Sequence, residues 1–185
     1  MVSATPIELG RPVSGDVVEL ILDDHRRFET LLRQLRDSSS DRDAVRHAFA
    51  ALHVSHAEAE ESHVYPRLRN EHAIGEHEEH HGHEEHAEGN EALLTVLEFD
   101  SVDGEGFEDA VEELTRLVNH HLTEEELTIL NPARESVSEE VRAELGLAFA
   151  TERNAQIDGN CGRLENVRRI VEEAAAEGLL DEEEE

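Results

Sequence analysis

The sequence predicts an all-α protein, an antiparallel, up-and-down four-helix bundle with one or two additional C-terminal helices. Apolar residues recur three and four apart along nearly the whole chain, no stretch alternates like a strand with hairpin punctuation, and proline is confined to four positions in 185 residues. Turn-forming residues split the helical runs into segments joined by short links, which sets consecutive helices side by side and opposed.

The elements follow in order. A loose leader, residues 1–14, carries Pro6, Gly10 and Pro12, and Ser14 or Asp16 caps a first helix over about residues 16 to 37. After the break at Ser38, Ser39 and Ser40, a second helix runs from about Asp41 to Tyr65, and Pro66, which biases the preceding residue away from helix, ends it within a few residues. A third covers about 76 to 99, and the turn-rich stretch Asp100 to Gly106 leads to a fourth over about 107 to 130, stopping before Pro132. Residues 15–134 thus form the bundle domain. Beyond it, Ser136 followed by Glu139 reads as a capping box for a fifth helix with the stripe Val141, Leu145, Ala148 and Phe149. Gly159 and Gly162 interrupt that helix, and Leu164, Val167, Ile170 and Val171 carry a sixth stripe up to Gly178. This extension, residues 135–179, either covers the bundle or pairs two chains as a homodimer. The acidic tail, 180–185, repels itself.

Charge narrows the partners. Sixteen Lys and Arg stand against 46 Asp and Glu, a net charge of −30, so the surface repels phosphate backbones and anionic lipid, and neither nucleic acid nor membrane is an expected partner. No run approaches the ~18–20 apolar residues of a membrane span, the leader has no apolar signal region, and the single Cys161 cannot form an internal disulfide. All three features point to the cytoplasm. Aromatic residues make up only 3% while 13 residues are His, which directs attention to chemistry at imidazole.

The apolar stripes are interrupted by polar residues in a repeated manner. The first helix reads Val18, Ile21, His25, Phe28, Leu32, Leu35; the second Val45, Phe49, Leu52, His56, Glu60, His63; the fourth Val111, Leu114, Val118, His121, Glu125, Thr128. Residues four apart share a helix face, so His56 with Glu60 and His121 with Glu125 each present an imidazole and a carboxylate to the interior. The third helix offers His77, His80, His81, His83 and His86; counting back from Leu97 through Asn90 selects His83 and His86, with His80 in reserve. Glu61, Glu124 and Glu126 read as surface charges one residue from these positions.

Two buried carboxylates without Lys or Arg in the stripes need a cation, because an unpaired charge in a bundle interior costs several kcal/mol. Five His and two Glu exceed the four ligands of a tetrahedral zinc but suit two six-coordinate ions bridged by both carboxylates. Imidazole and carboxylate without thiolate are compatible with iron, and a three-to-two division of the histidines leaves one position open for a small ligand.

At these residues the sequence resembles the hemerythrin-like (HHE cation-binding) family: Asp24-His25, HAEAEESHVYP from His56 to Pro66, a His-bearing third helix, and HLTEEELTILNP from His121 to Pro132. The resemblance covers about residues 16 to 134. It implies a left-handed four-helix bundle around a non-haem di-iron centre that binds dioxygen; some members bind nitric oxide, sense oxygen or iron, or decompose peroxide. Carried over, His25 and His56 hold the iron with the open site, His83, His86 and His121 hold the other, and Glu60 and Glu125 bridge an oxo- or hydroxo-linked pair. Two departures stand out. The family's third helix uses histidines four apart, as His77 and His81 are here, whereas His83 and His86 are three apart; and a carboxylate five after the fourth-helix His selects Glu126 in place of Glu125. Three functions remain open at this point: a binder of dioxygen, nitric oxide or peroxide, an enzyme decomposing hydrogen peroxide, and a metal-buffering or structural zinc or iron module. His63, Tyr65 and Glu61 supply acid–base candidates near the open position.

Overall fold

A computed structural model describes residues 7–180; the start of the leader and the acidic tail from Asp181 onward lie outside the described residues. Among the described residues every regular element is a helix. Asp16 starts α1 (Val17–Leu35) by accepting the Val18 N–H, and Asp41 starts α2 (Arg42–Ala59) by accepting the Ala44 N–H, so each carboxylate satisfies one of the donors a helix start leaves unpaired.

Neither α2 nor its later counterpart stops at its proline. Beyond α2 the chain takes one π turn, Glu60–Val64, and continues as α3 (Tyr65–Asn70); after α4 (Glu76–Glu98) and α5 (Phe107–Glu125) a second π turn, Glu126–Leu130, leads into α6 (Asn131–Ser136). In a regular helix a proline ring strikes the carbonyl four residues back. In the π turns the bond runs one residue further, from the Tyr65 N–H to the Glu60 carbonyl and from the Asn131 N–H to the Glu126 carbonyl, and each proline then falls in the first turn of a new helix. Past Pro66 the helical path ends at Asn70, within the few residues expected, whereas the expected stop before Pro132 is corrected, since the path runs through it to Ser136. The cap of α7 (Glu139–Asp158) is Ser138, which accepts the Val141 N–H, and not Ser136, which closes α6. The last helix is α8 (Leu164–Glu177).

Helix α1 packs against α2, α5 and α7; α2 also meets α4 and α7; and α4 lies between α5 and α8. The extension is therefore laid over the same core. The described end of the leader is held there too, because Arg153 donates to the Leu9 and Gly10 carbonyls and Asn154 to that of Pro12.

Two apolar clusters fill the interior. One gathers Phe28, Leu32, Phe49, Leu52, Leu93, Leu114 and Val118; the other gathers Ile21, Ala59, Val64, Tyr65, Ile129 and Phe149. Each buried Leu or Phe contributes about 1.5–3 kcal/mol, and together they hold the helices in register around the layer between them. That layer is ionisable. His25 lies between Ile21 and Phe28 on α1, His56 between Leu52 and Ala59 on α2, and His121 with Glu125 between Val118 and Ile129.

Candidate metal centre

Four imidazoles and two carboxylates converge in that layer. They form two groups of possible ligands, His25 with His56 and Glu125, and Glu60 with His86 and His121; within each group one atom per residue lies within 4.8 Å of the others, and all six residues are buried. Glu60 stands between the groups, with Oε1 3.1 Å from His56 Nε2 and Oε2 3.2 Å from His86 Nε2. Glu125 Oε2 lies 3.1 Å from His25 Nε2 and 3.8 Å from His121 Nε2.

On their outer sides, all four rings meet a carboxylate through Nδ1. His25 reaches Glu126 at 2.8 Å, His56 reaches Asp24 at 3.2 Å, His86 reaches Glu61 at 2.7 Å and His121 reaches Glu85 at 3.0 Å. An ionised carboxylate only accepts, so each Nδ1 is a donor, and the contact turns each Nε2 inward, an orientation that metal-bound histidines commonly share. His86 Nε2 and His121 Nε2 then face each other at 3.1 Å, and neither His56 Nε2 nor Glu60 Oε1 has a hydrogen-bond partner. Ring nitrogens packed on one another and buried polar atoms without partners are what a cation between them would relieve, by displacing any proton held there. The residues fit a metal.

Charge in the layer is held by mutual pairing. Burial opposes the charged form of His56, but Glu60 and Asp24 outweigh it and push the imidazole up to about 9. Burial likewise opposes charge on His86, and Glu60 and Glu61 push it up to about 10. Burial alone would raise the Glu60 carboxyl, yet His56 and His86 hold it well below the usual carboxylate range. Tyr65 adds a phenol sealed from solvent: its hydroxyl donates to Glu125 Oε1 at 3.0 Å and lies 3.4 Å from Glu60 Oε2, while its ring stacks on His86. Burial and these carboxylates push its ionisation well above 10. Gly82 makes room for the ring, since a Cβ there would come within 2.9 Å of Tyr65 Cε2.

The expected positions are distributed as follows. His25, His56, Glu60, His86, His121 and Glu125 come together. His83 stands outside both groups, half-buried with Nδ1 3.3 Å from Glu61, and His80 is exposed beside Glu84. Glu126 is an acceptor for His25 Nδ1 and not a member of either group, while Glu61 serves His86 in the same way. His63 points to Glu152 at 3.7 Å. Four residues went unassigned in the sequence. Asp24, Glu85 and Arg153 orient the ligand layer or its supports, and His53, one turn before His56, is buried against Phe28 and Phe49 with Nε2 unpartnered. Arg153 carried a signal, an arginine continuing the Phe149 and Ala150 stripe, and Asp24 stood in the Asp24-His25 pair of the resemblance without a role; Glu85 and His53 carried none.

The family profile of the hemerythrin HHE cation binding domain matches residues 16–132. The chain belongs to this family. Every member of the two groups lies inside the matched span, and Arg153 lies beyond it. The chain is also 29% identical over 128 residues to a protein of Nostoc sp. named a DNA nickase, a match covering 68% of this chain and 35% of that protein. The chain thus spans about a third of that relative's length. No solved structure matches it. The HHE domain here is an all-helical, metal-binding one whose His and Glu groups fit a metal site, and among the described residues no helix is long and apolar enough to cross a membrane.

Proposed function

We propose that the HHE domain holds two iron ions and takes up a small oxidant or gas, dioxygen, nitric oxide or peroxide, at a position that protein ligands leave free. The carrying observation is the pair of convergent groups: His25, His56 and Glu125 would hold one ion and His86 and His121 with Glu60 the other, Glu60 offering one oxygen toward each group and Glu125 Oε2 lying nearer His25 than His121. Helices α1, α2, α4 and α5, with the π turn that continues α2, supply these ligands as an antiparallel four-helix bundle. When bound, iron supplies reversible ligand coordination and electron transfer.

The protein's own residues do the rest. The four Nδ1 contacts fix ring orientation, and the apolar clusters above and below exclude bulk water from the layer. Glu126 lines a groove of about 640 Å³ between α1 and α5 and touches His25 from its outer side.

Peroxide decomposition is a second reading, favoured by Tyr65, a buried O–H donor against both spanning carboxylates. A reversible carrier excludes proton donors, whereas turnover needs one. The nickase activity of the Nostoc protein is not extended to this chain, because a net charge of −30 opposes a phosphate backbone. Metal analysis of protein made in iron-replete medium should return about two irons per chain, and the reduced protein exposed to air should give a visible-absorbing ferric species. Reversal on removing oxygen supports binding. Oxidation that does not reverse, with oxygen release from added peroxide above that of free iron salts, supports turnover. Stoichiometric zinc with little iron would sink both.

A further inference from the structure

The His-rich face of α4 carries a feature the central site does not use. Glu85 gives Oε2 to His121 Nδ1, and its other oxygen, Oε1, is buried, has no hydrogen-bond partner, and lies 3.5 Å from both His81 Nε2 and His120 Nε2. The residue is 8% exposed, whereas the His81 and His120 side chains are 44% and 57% exposed. All three line one cavity of about 310 Å³ together with Glu84 and Glu88.

The geometry points to a further metal site here, in which His81 Nε2, His120 Nε2 and Glu85 Oε1 bind a divalent transition-metal ion of the zinc type, with solvent completing the coordination. Ligands about 2.0–2.2 Å from a common ion lie roughly 3.3 Å from one another; 3.5 Å from oxygen to each nitrogen approaches that spacing while exceeding a good hydrogen bond, and the two imidazole nitrogens, which do not lie within 4.8 Å of each other, must swing together to close the set. The two imidazoles come from different helices and are exposed enough to turn onto the ion. His81 Nδ1 lies 3.5 Å from Glu84 Oε2, which repeats at the surface the ring orientation seen in the interior. Two imidazoles and one carboxylate form a common open zinc set. Because Glu85 also orients His121, an ion on Oε1 draws charge from the carboxylate that supports a ligand of the central site.

The test counts zinc in the full chain, iron-loaded and dialysed against Zn2+, for the wild type and for His81→Ala/His120→Ala. The wild type should retain one zinc per chain more than the double variant, and His120→Ala alone should weaken that equivalent at least tenfold. His77→Ala should retain it. Equal zinc in wild type and double variant overturns the proposal, as does loss of the equivalent in His77→Ala, which would place the ion on the stacked His77–His81 pair instead. Circular dichroism matching wild type shows that the variants fold, as half-exposed positions allow. In His56→Ala the extra zinc should persist, so failure of the central site and failure of this one remain distinguishable.

Discussion

Arg153 grips Asp24 in a two-point ion pair sealed from solvent, Nε to Oδ2 at 2.6 Å and Nη2 to Oδ1 at 2.8 Å. The same Oδ2 accepts from His56 Nδ1, so a residue of α7 fixes a candidate ligand on α2 through a carboxylate on α1. Planar guanidinium and carboxylate match in shape, and the arrangement leaves little freedom to any of the three.

Arg153→Leu should therefore strand the Asp24 carboxylate in the interior. Removing one partner of a buried pair costs about 3–5 kcal/mol, and losing an outer support of a metal-binding histidine lowers metal affinity about 10–100-fold. Denaturant unfolding of the metal-free variant reads the first effect and competition with a chelator reads the second. Adding Asp24→Asn should restore part of the stability, because no uncompensated charge then remains. A single variant as stable as wild type would show that the extension only covers the core.

The ligand set separates by position on α4. His56→Ala, His86→Ala and His121→Ala should each lose central metal, whereas His83→Ala and His72→Ala should keep it, because His83 bonds Glu61 outside both groups and His72 sits in the connection after α3. Iron analysis of the five variants checks this. Iron lost from His83→Ala would restore that residue to the centre.

How much of this was legible depends on contrast along each helix. In α2 and α5 an imidazole and a carboxylate four apart interrupt an otherwise apolar stripe, so facing and spacing were both readable, as was His25 between Ile21 and Phe28. In α4 the run from Glu76 to Glu88 is polar on every side, and the inward series from Leu97 steps through Leu93, Asn90 and His86 to Gly82 rather than to His83. Gly82 adds nothing to an apolar stripe; it occupies an inward position because the Tyr65 ring fills the space. The supporting carboxylates Glu61 and Glu126 each follow a spanning Glu, and in a regular helix neighbours diverge by about 100°. Glu61 is the second residue of one π turn and Glu126 opens the other, turns whose formation no local pattern announced, and so they read as surface charges.

Metal removal should make stability depend on pH in a defined direction. Without metal, His56 and His86 titrate at about 9 and about 10 in the folded chain, above the ~6.5 of an unfolded imidazole. A raised folded value contributes stability that is fully present below about pH 6.5 and is lost as pH rises through the folded values. The metal-free protein should accordingly melt at progressively lower temperature between about pH 7 and pH 10. Metal displaces these protons, so binding at pH 7.5 should release protons and weaken as pH falls. Titration calorimetry in buffers of different ionisation enthalpy measures the release; none at all would contradict the pairing of Glu60 with charged imidazoles.

Tyr65→Phe separates structural support from chemistry. The hydroxyl donates to Glu125 and approaches Glu60, both charged, and hydrogen bonds to charged groups contribute about 1.5–3 kcal/mol. The ring keeps its stack on His86 and its fit over Gly82, so the variant should fold, lose stability within that range and bind as much metal as wild type. If the phenol donates the proton that peroxide turnover requires, oxygen release from peroxide should fall tenfold or more while iron content holds, consistent with the ~10²–10⁴ contribution of a placed acid. Unchanged turnover with iron retained would remove Tyr65 from the chemistry and leave it as packing. A reversible oxygen complex that persists longer in the variant than in wild type would instead mark the phenol as the group that limits carriage.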